Sequence, residues 1–64
     1  MNHAWHRIHA DTWALDVNGV VLGYARRMPT KGGHSEVFRV SKDKQQWQGA
    51  FLDRKAAREY LQAL

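Results

Sequence analysis

The dipeptide Asn18-Gly19 constrains this chain more than any other pair of residues, because it sits between two apolar, partly β-branched runs. Asn-Gly in that setting predicts a β-hairpin with a two-residue type I′ turn, since both central residues tolerate positive φ. The turn pairs Val17 with Val20, Leu15 with Leu22, Trp13 with Tyr24 and Asp11 with Arg26. Side chains alternate along a strand, so Trp13, Leu15, Val17, Val20, Leu22 and Tyr24 fall on one face, the expected core face. Ala14, Asp16, Val21, Gly23, Ala25 and Arg27 fall on the other.

A second hairpin is predicted downstream. Glu36 to Ser41 alternates, Lys42-Asp43 reads as a turn, and Lys44 to Phe51 reads as the returning strand. Pairing Ser41 with Lys44 sets Phe38 opposite Trp47 and sends Phe38, Val40 and Trp47 to the core face. Arg39, Gln46, Gln48 and Ala50 then point the other way. Met28 to Ser35 holds the single proline and a Gly-Gly pair and reads as an exposed, mobile loop. Near the N-terminus, Trp5 to His9 either extends the first strand or forms a short strand of its own.

The chain closes on a helix. Asp53 is a good N-cap, and Ala56, Ala57, Tyr60, Leu61 and Leu64 recur at helical spacing, with Arg54, Lys55, Arg58, Glu59 and Gln62 on the opposite side. The expected fold is α+β: an antiparallel sheet of three or four strands with one C-terminal helix packed on one face. It forms one domain over residues 1–64.

Size limits what else is available. Ordering 64 residues opposes folding by on the order of 100 kcal/mol, at roughly 1.5 kcal/mol each. The chain has no cysteine, which excludes a disulfide framework and a thiolate zinc site. Trp5, Trp13, Trp47, Tyr24, Tyr60, Phe38 and Phe51 are therefore expected in the core. A homodimer would relieve the shortage of core, although the sequence does not require one. No apolar run is long enough to span a bilayer and the N-terminus lacks a secretory core, so a cytoplasmic location without membrane partners is expected.

Ten Lys+Arg against six Asp+Glu give a net charge of +4. On the hairpin registers above, the uncovered sheet face presents Arg27, Arg39, Gln46 and Gln48 among the small residues Ala14, Gly23, Ala25 and Ala50. Arginine pairs bidentately with guanine and glutamine with adenine, and small neighbours permit close approach to a groove. The bland alternative is the wet face of a one-sided antiparallel sheet, where Arg and Gln are ordinary. Arg54 and Lys55 in the first helical turn add a second candidate for phosphate contact, because the helix dipole alone disfavours cations there.

The segment from Trp47 to Leu61, a strand ending in an aromatic followed by a short cap and an Ala-containing helix, resembles the N-terminal arm-binding domains of tyrosine recombinases. Phe51, Ala56, Tyr60 and Leu61 occupy the matching positions. The layout is also similar to that of plant ethylene-response-factor domains. Both resemblances imply a sheet face that reads duplex DNA, with Arg27, Arg39, Gln46 and Gln48 as readers. The likeness covers the last third of the chain; the aromatic-rich N-terminus and the sparsely basic first strands depart from the recombinase pattern.

Other constellations carry less. His3, His6 and His9 are spaced so that His6 opposes the other two on a strand, and only Asp11 accompanies them, so no metal site or cofactor is assigned. His34, Ser35 and Glu36 are adjacent and cannot align as nucleophile, base and orienter. Lys31-Gly32-Gly33 lacks the following apolar helix of a phosphate loop. No enzymatic activity is expected. Two readings remain: a small basic DNA-binding accessory protein of a mobile element or phage, or a compact protein-interaction module that inhibits a host nucleic-acid enzyme. Trp5, beside Ile8 and Met28, is the candidate anchor of the second.

Overall fold

The computed structural model describes residues 2–29 and 36–64, so the expectations for Thr30 to Ser35, including most of the loop and the Lys31-Gly32-Gly33 motif, lie outside the described residues. Met28 and Pro29, expected to open that loop, instead end a strand, where they pair with Val37 and Glu36. The Asn-Gly turn forms: Asn18 and Gly19 have φ of 54° and 86°, and the Asp16 carboxylate accepts the Gly19 amide at 2.8 Å. The strands are β1 (His3–His9), β2 (Thr12–Val17), β3 (Val20–Pro29), β4 (Glu36–Ser41) and β5 (Gln48–Phe51), followed by helix α1 (Arg54–Ala63). They form one antiparallel sheet in the order β1-β2-β3-β4-β5, each strand beside its sequence neighbour. The class is α+β as expected, but with five strands and not three or four. The additional strand is β1, whose Trp5 pairs with Leu15 and whose register on β2 shifts after Arg7.

The β2–β3 register agrees with the expected one only next to the turn. Val17 pairs with Val20 and Asp16 with Val21, but Leu15 pairs with Gly23, Ala14 with Tyr24 and Trp13 with Ala25. Leu22 is the extra residue of a β-bulge, and one extra residue reverses the facing of everything beyond it. Gly23, Ala25 and Arg27 thereby join the face of Leu15 and Trp13, while Tyr24, Arg26 and Met28 turn to the opposite one. Helix packing explains the exchange. A Cβ at Gly23 would lie 2.7 Å from Leu61 Cδ2 and 3.1 Å from the Ser41 carbonyl oxygen, so the helix rests where β3 has no side chain.

The second hairpin also departs from its expected register. Val40 pairs with Gln48 and Phe38 with Phe51, across a third irregularity. Residues 42–46 form a bend because Ser41 and Asp43 capture the amides that a tight hairpin would use. Ser41 Oγ accepts from Asp43 and Lys44 (3.2 and 2.9 Å), and Asp43 Oδ1 accepts from Gln45 and Gln46 (2.8 and 3.2 Å). Trp47 consequently precedes the strand and does not pair with Phe38.

The core lies between the sheet and α1, around Leu15, Ala25, Val40, Ala57 and Leu61. Leu15, Val40 and Leu61 are fully enclosed, each stabilising the fold by about 1.5–3 kcal/mol. Trp13 meets Phe38 edge-on at 5.8 Å and Phe51 meets Tyr60 at 5.1 Å on this side. Ten residues are too few for a stable isolated helix, so α1 depends on this packing and on its cap. Asp53 accepts the Ala56 amide at 2.8 Å. Contacts of α1 fall on β3, β4 and β5, and Arg58 reaches from the helix to the His3 ring on β1. Among the described residues no helix is long and apolar enough to cross a membrane.

Candidate functional site

The sheet face away from α1 carries Tyr24, Arg26 and Met28 from β3, and Val37, Arg39 and Ser41 from β4. Arg26 and Arg39 are direct cross-strand partners, and both are exposed. Among the described residues neither is joined to a carboxylate; the two ion pairs found are Arg27–Asp11 at 2.9 Å and His6–Asp16 at 3.9 Å. Like charges directly opposite on a sheet destabilise it by roughly 0.2–1 kcal/mol. The positive pair is therefore a local liability of the isolated domain.

Two aromatic rings frame that pair. The Arg26 guanidinium lies 4.9 Å from the centre of the Trp47 ring, and the Lys44 ammonium lies 5.2 Å from that of Tyr24. Because β4 separates β3 from β5, the Arg26–Trp47 contact bridges over β4 on the helix-free face. Ser41 is only 1% exposed there although no helix covers it. Both rings are half-buried. They were expected in the core; the bulge at Leu22 sends Tyr24 outward, and the 42–46 bend does the same for Trp47. Each cation–ring contact contributes on the order of 0.5–1 kcal/mol at an exposed site.

The bend that holds Lys44 is preset. Lys44 has φ 66°, a left-handed conformation unfavourable for a side-chain-bearing residue, and its amide is held by Ser41. Amides of Gln45 and then Gln46, with the Ser41 hydroxyl, hold the Asp43 carboxyl below the usual carboxylate range. Asp43 thus stays ionised and keeps the bend closed at neutral pH.

The residues singled out from sequence are divided by this geometry. Arg39 lies on the open face as expected. Arg27 does not: it pairs with Phe38, donates to Asp11 at 2.9 Å and lies 5.7 Å from the Trp13 ring on the helix side. Arg54 approaches the same Trp13 ring at 5.2 Å, whereas Lys55 is exposed. Gln46 is an exposed bend residue, and Gln48 is exposed opposite Val40, not beside Arg39. Trp5 is half-buried against the core cluster on the helix side, whereas Met28 lies on the other face, so they form no common patch.

Sequence reasoning missed Tyr24, Arg26, Lys44 and Trp47. Two signals pointed to them: a glycine inside β3, which marks a bulge or a close approach, and Ser41-Lys42-Asp43, whose hydroxyl and carboxylate favour a side-chain-capped turn. A shallow depression of about 590 Å³, lined by residues 9–12 and 26–28, lies at one end of the sheet; its Asp11 and Arg27 are joined in an ion pair. Among the described residues no three His, Asp or Glu converge as a metal site would need. No protein-family model, curated protein or solved structure matches the chain.

Proposed function

We propose that this chain binds nucleic acid through the helix-free face of its sheet. The observation that carries the reading is the Arg26–Arg39 pair, two exposed cations directly opposed with no carboxylate on either among the described residues. A phosphate placed between them turns a repulsion into two charge-assisted contacts. Small residues extend the approach: Ala14, Tyr24's partner on β2, keeps that part of the face low. The net charge of +4 agrees in sign, and the resemblance to arm-binding and ethylene-response-factor domains points to the same face. The protein-interaction alternative is carried by chain size, and its candidate anchor, Trp5, is half-buried against the core cluster.

Mobility-shift titration across salt tests the proposal, with duplex and single-stranded probes. Binding should weaken steeply as salt rises, and Arg26→Ala and Arg39→Ala should each reduce the salt slope by about one unit. Arg39→Gln should also raise stability by a few tenths of a kcal/mol, an effect that shrinks in concentrated salt. Undetectable binding of both probes at about 50 mM salt refutes the proposal.

A further inference from the structure

Resting on the reading above, we infer that the ligand of this face is single-stranded nucleic acid whose unpaired bases stack on Tyr24 and Trp47. Three observations carry this. First, the sheet has five strands, so the platform spans four inter-strand spacings, roughly 19 Å. A duplex major groove is about 12 Å wide and admits a helix or a two-stranded ribbon. With β1 and β5 flanking the central strands, the face is too broad to be inserted whole.

Second, the face carries two aromatic rings besides its hydrogen-bonding side chains. Tyr24 and Trp47 are half-buried on the side without a helix, and neither belongs to the core around Leu15, Val40 and Leu61. In a duplex the base faces are stacked on one another and cannot reach such rings; in a single strand they are available.

Third, each ring lies against a cation able to serve the backbone. Arg26 lies against Trp47 and Lys44 against Tyr24, both cations are exposed, and Arg39 stands opposite Arg26. A base on an aromatic ring is a stronger contact than an exposed cation on that ring. On binding, each cation moves from its ring to an adjacent phosphate and yields the ring to a base. The preset bend at Lys44, held by Ser41 and Asp43, keeps Lys44 and Trp47 positioned beforehand.

The test compares a 15-nucleotide oligo-dT with a duplex of the same length, using the full chain labelled with 5-fluorotryptophan, the Trp47 resonance assigned by Trp47→Phe. The oligo-dT should bind at least about tenfold tighter than the duplex and shift the Trp47 resonance selectively. Trp47→Ala and Tyr24→Ala should each weaken oligo-dT binding by about fivefold or more, with Trp47→Phe and Tyr24→Phe retaining most of it. Circular dichroism of each variant separates loss of the ring from loss of the fold, and the oligo-dT-to-duplex affinity ratio with the Trp47 resonance shift of the unsubstituted chain carries the test if an alanine variant unfolds. Equal or tighter duplex binding, or oligo-dT binding that leaves the Trp47 resonance unmoved, overturns the inference while leaving nucleic-acid binding intact. Failure of both probes to bind overturns both.

Discussion

Gly23→Ala offers a direct measure of the β2–β3 bulge, because the two possible registers predict effects of opposite sign. In the straight register Gly23 faces solvent, and alanine in a strand interior is preferred over glycine by roughly 0.5–1 kcal/mol. With the bulge at Leu22, the added methyl meets Leu61 Cδ2 at 2.7 Å, Leu61 Cδ1 at 3.1 Å and the Ser41 carbonyl at 3.1 Å. Leu61 is 1% exposed and packed among Leu15, Ala25, Val40 and Ala57, so it has little room to swing aside. Overpacking of that kind costs about 1–3 kcal/mol, and subtracting the alanine preference leaves a net destabilisation of about 1 kcal/mol. For a domain of this size that is a fall in Tm of about 4–8 °C. Urea and thermal unfolding followed by circular dichroism measure it. A double-mutant cycle with Leu61→Ala identifies the cause: Leu61→Ala alone should cost about 2–5 kcal/mol, and Gly23→Ala should destabilise less in that background, where only the contact with the Ser41 carbonyl remains. Neutral or increased stability of Gly23→Ala in the wild-type background refutes the bulge and, with it, the outward placement of Tyr24 and Arg26.

Two further outcomes are expected. Asp53→Ala removes the acceptor of the Ala56 amide and should destabilise the domain by about 1 kcal/mol, read from the urea midpoint at unchanged slope. The Asp43 carboxyl lies below its ordinary value of 3.8, so its ionised form is favoured by folding. That stabilisation is present above the ordinary value and is lost as pH falls through the lower folded one. Amide resonances of Gln45 and Gln46 should therefore titrate with a midpoint below 3.8, and a midpoint at or above that value contradicts the capped bend.

Local chemistry was legible wherever it was self-contained. Asn18-Gly19 defines a turn through the φ tolerance of two adjacent residues, and Asp53 caps a helix through an acceptor three residues before an amide. The small-and-apolar spacing of Ala57 and Leu61 gives the buried helix face in the same way. The candidate site was less legible. Arg39 was placed correctly, while Arg27 and Arg26 exchanged faces because one extra residue at Leu22 intervenes between the turn and both arginines. A tight Ser41–Lys44 turn sets Trp47 opposite Phe38 on the core face, yet the capped bend before β5 breaks that register and moves Trp47 to the open face.

By itself, then, the sequence determined a basic, cysteine-free chain with an Asn-Gly hairpin, a capped C-terminal helix and the α+β class. Tertiary structure alone decided the strand count, the three register shifts and the membership of each sheet face. The physical reason is the period of two. Alternation assigns faces only relative to the nearest irregularity, and the position of a bulge depends on what must fit against the sheet from elsewhere in the chain. Here that is Leu61, which needs the space above Gly23 and lies far from it in sequence. Its packing turns Tyr24 and Arg26 outward, and so a core contact determines the composition of the proposed binding face.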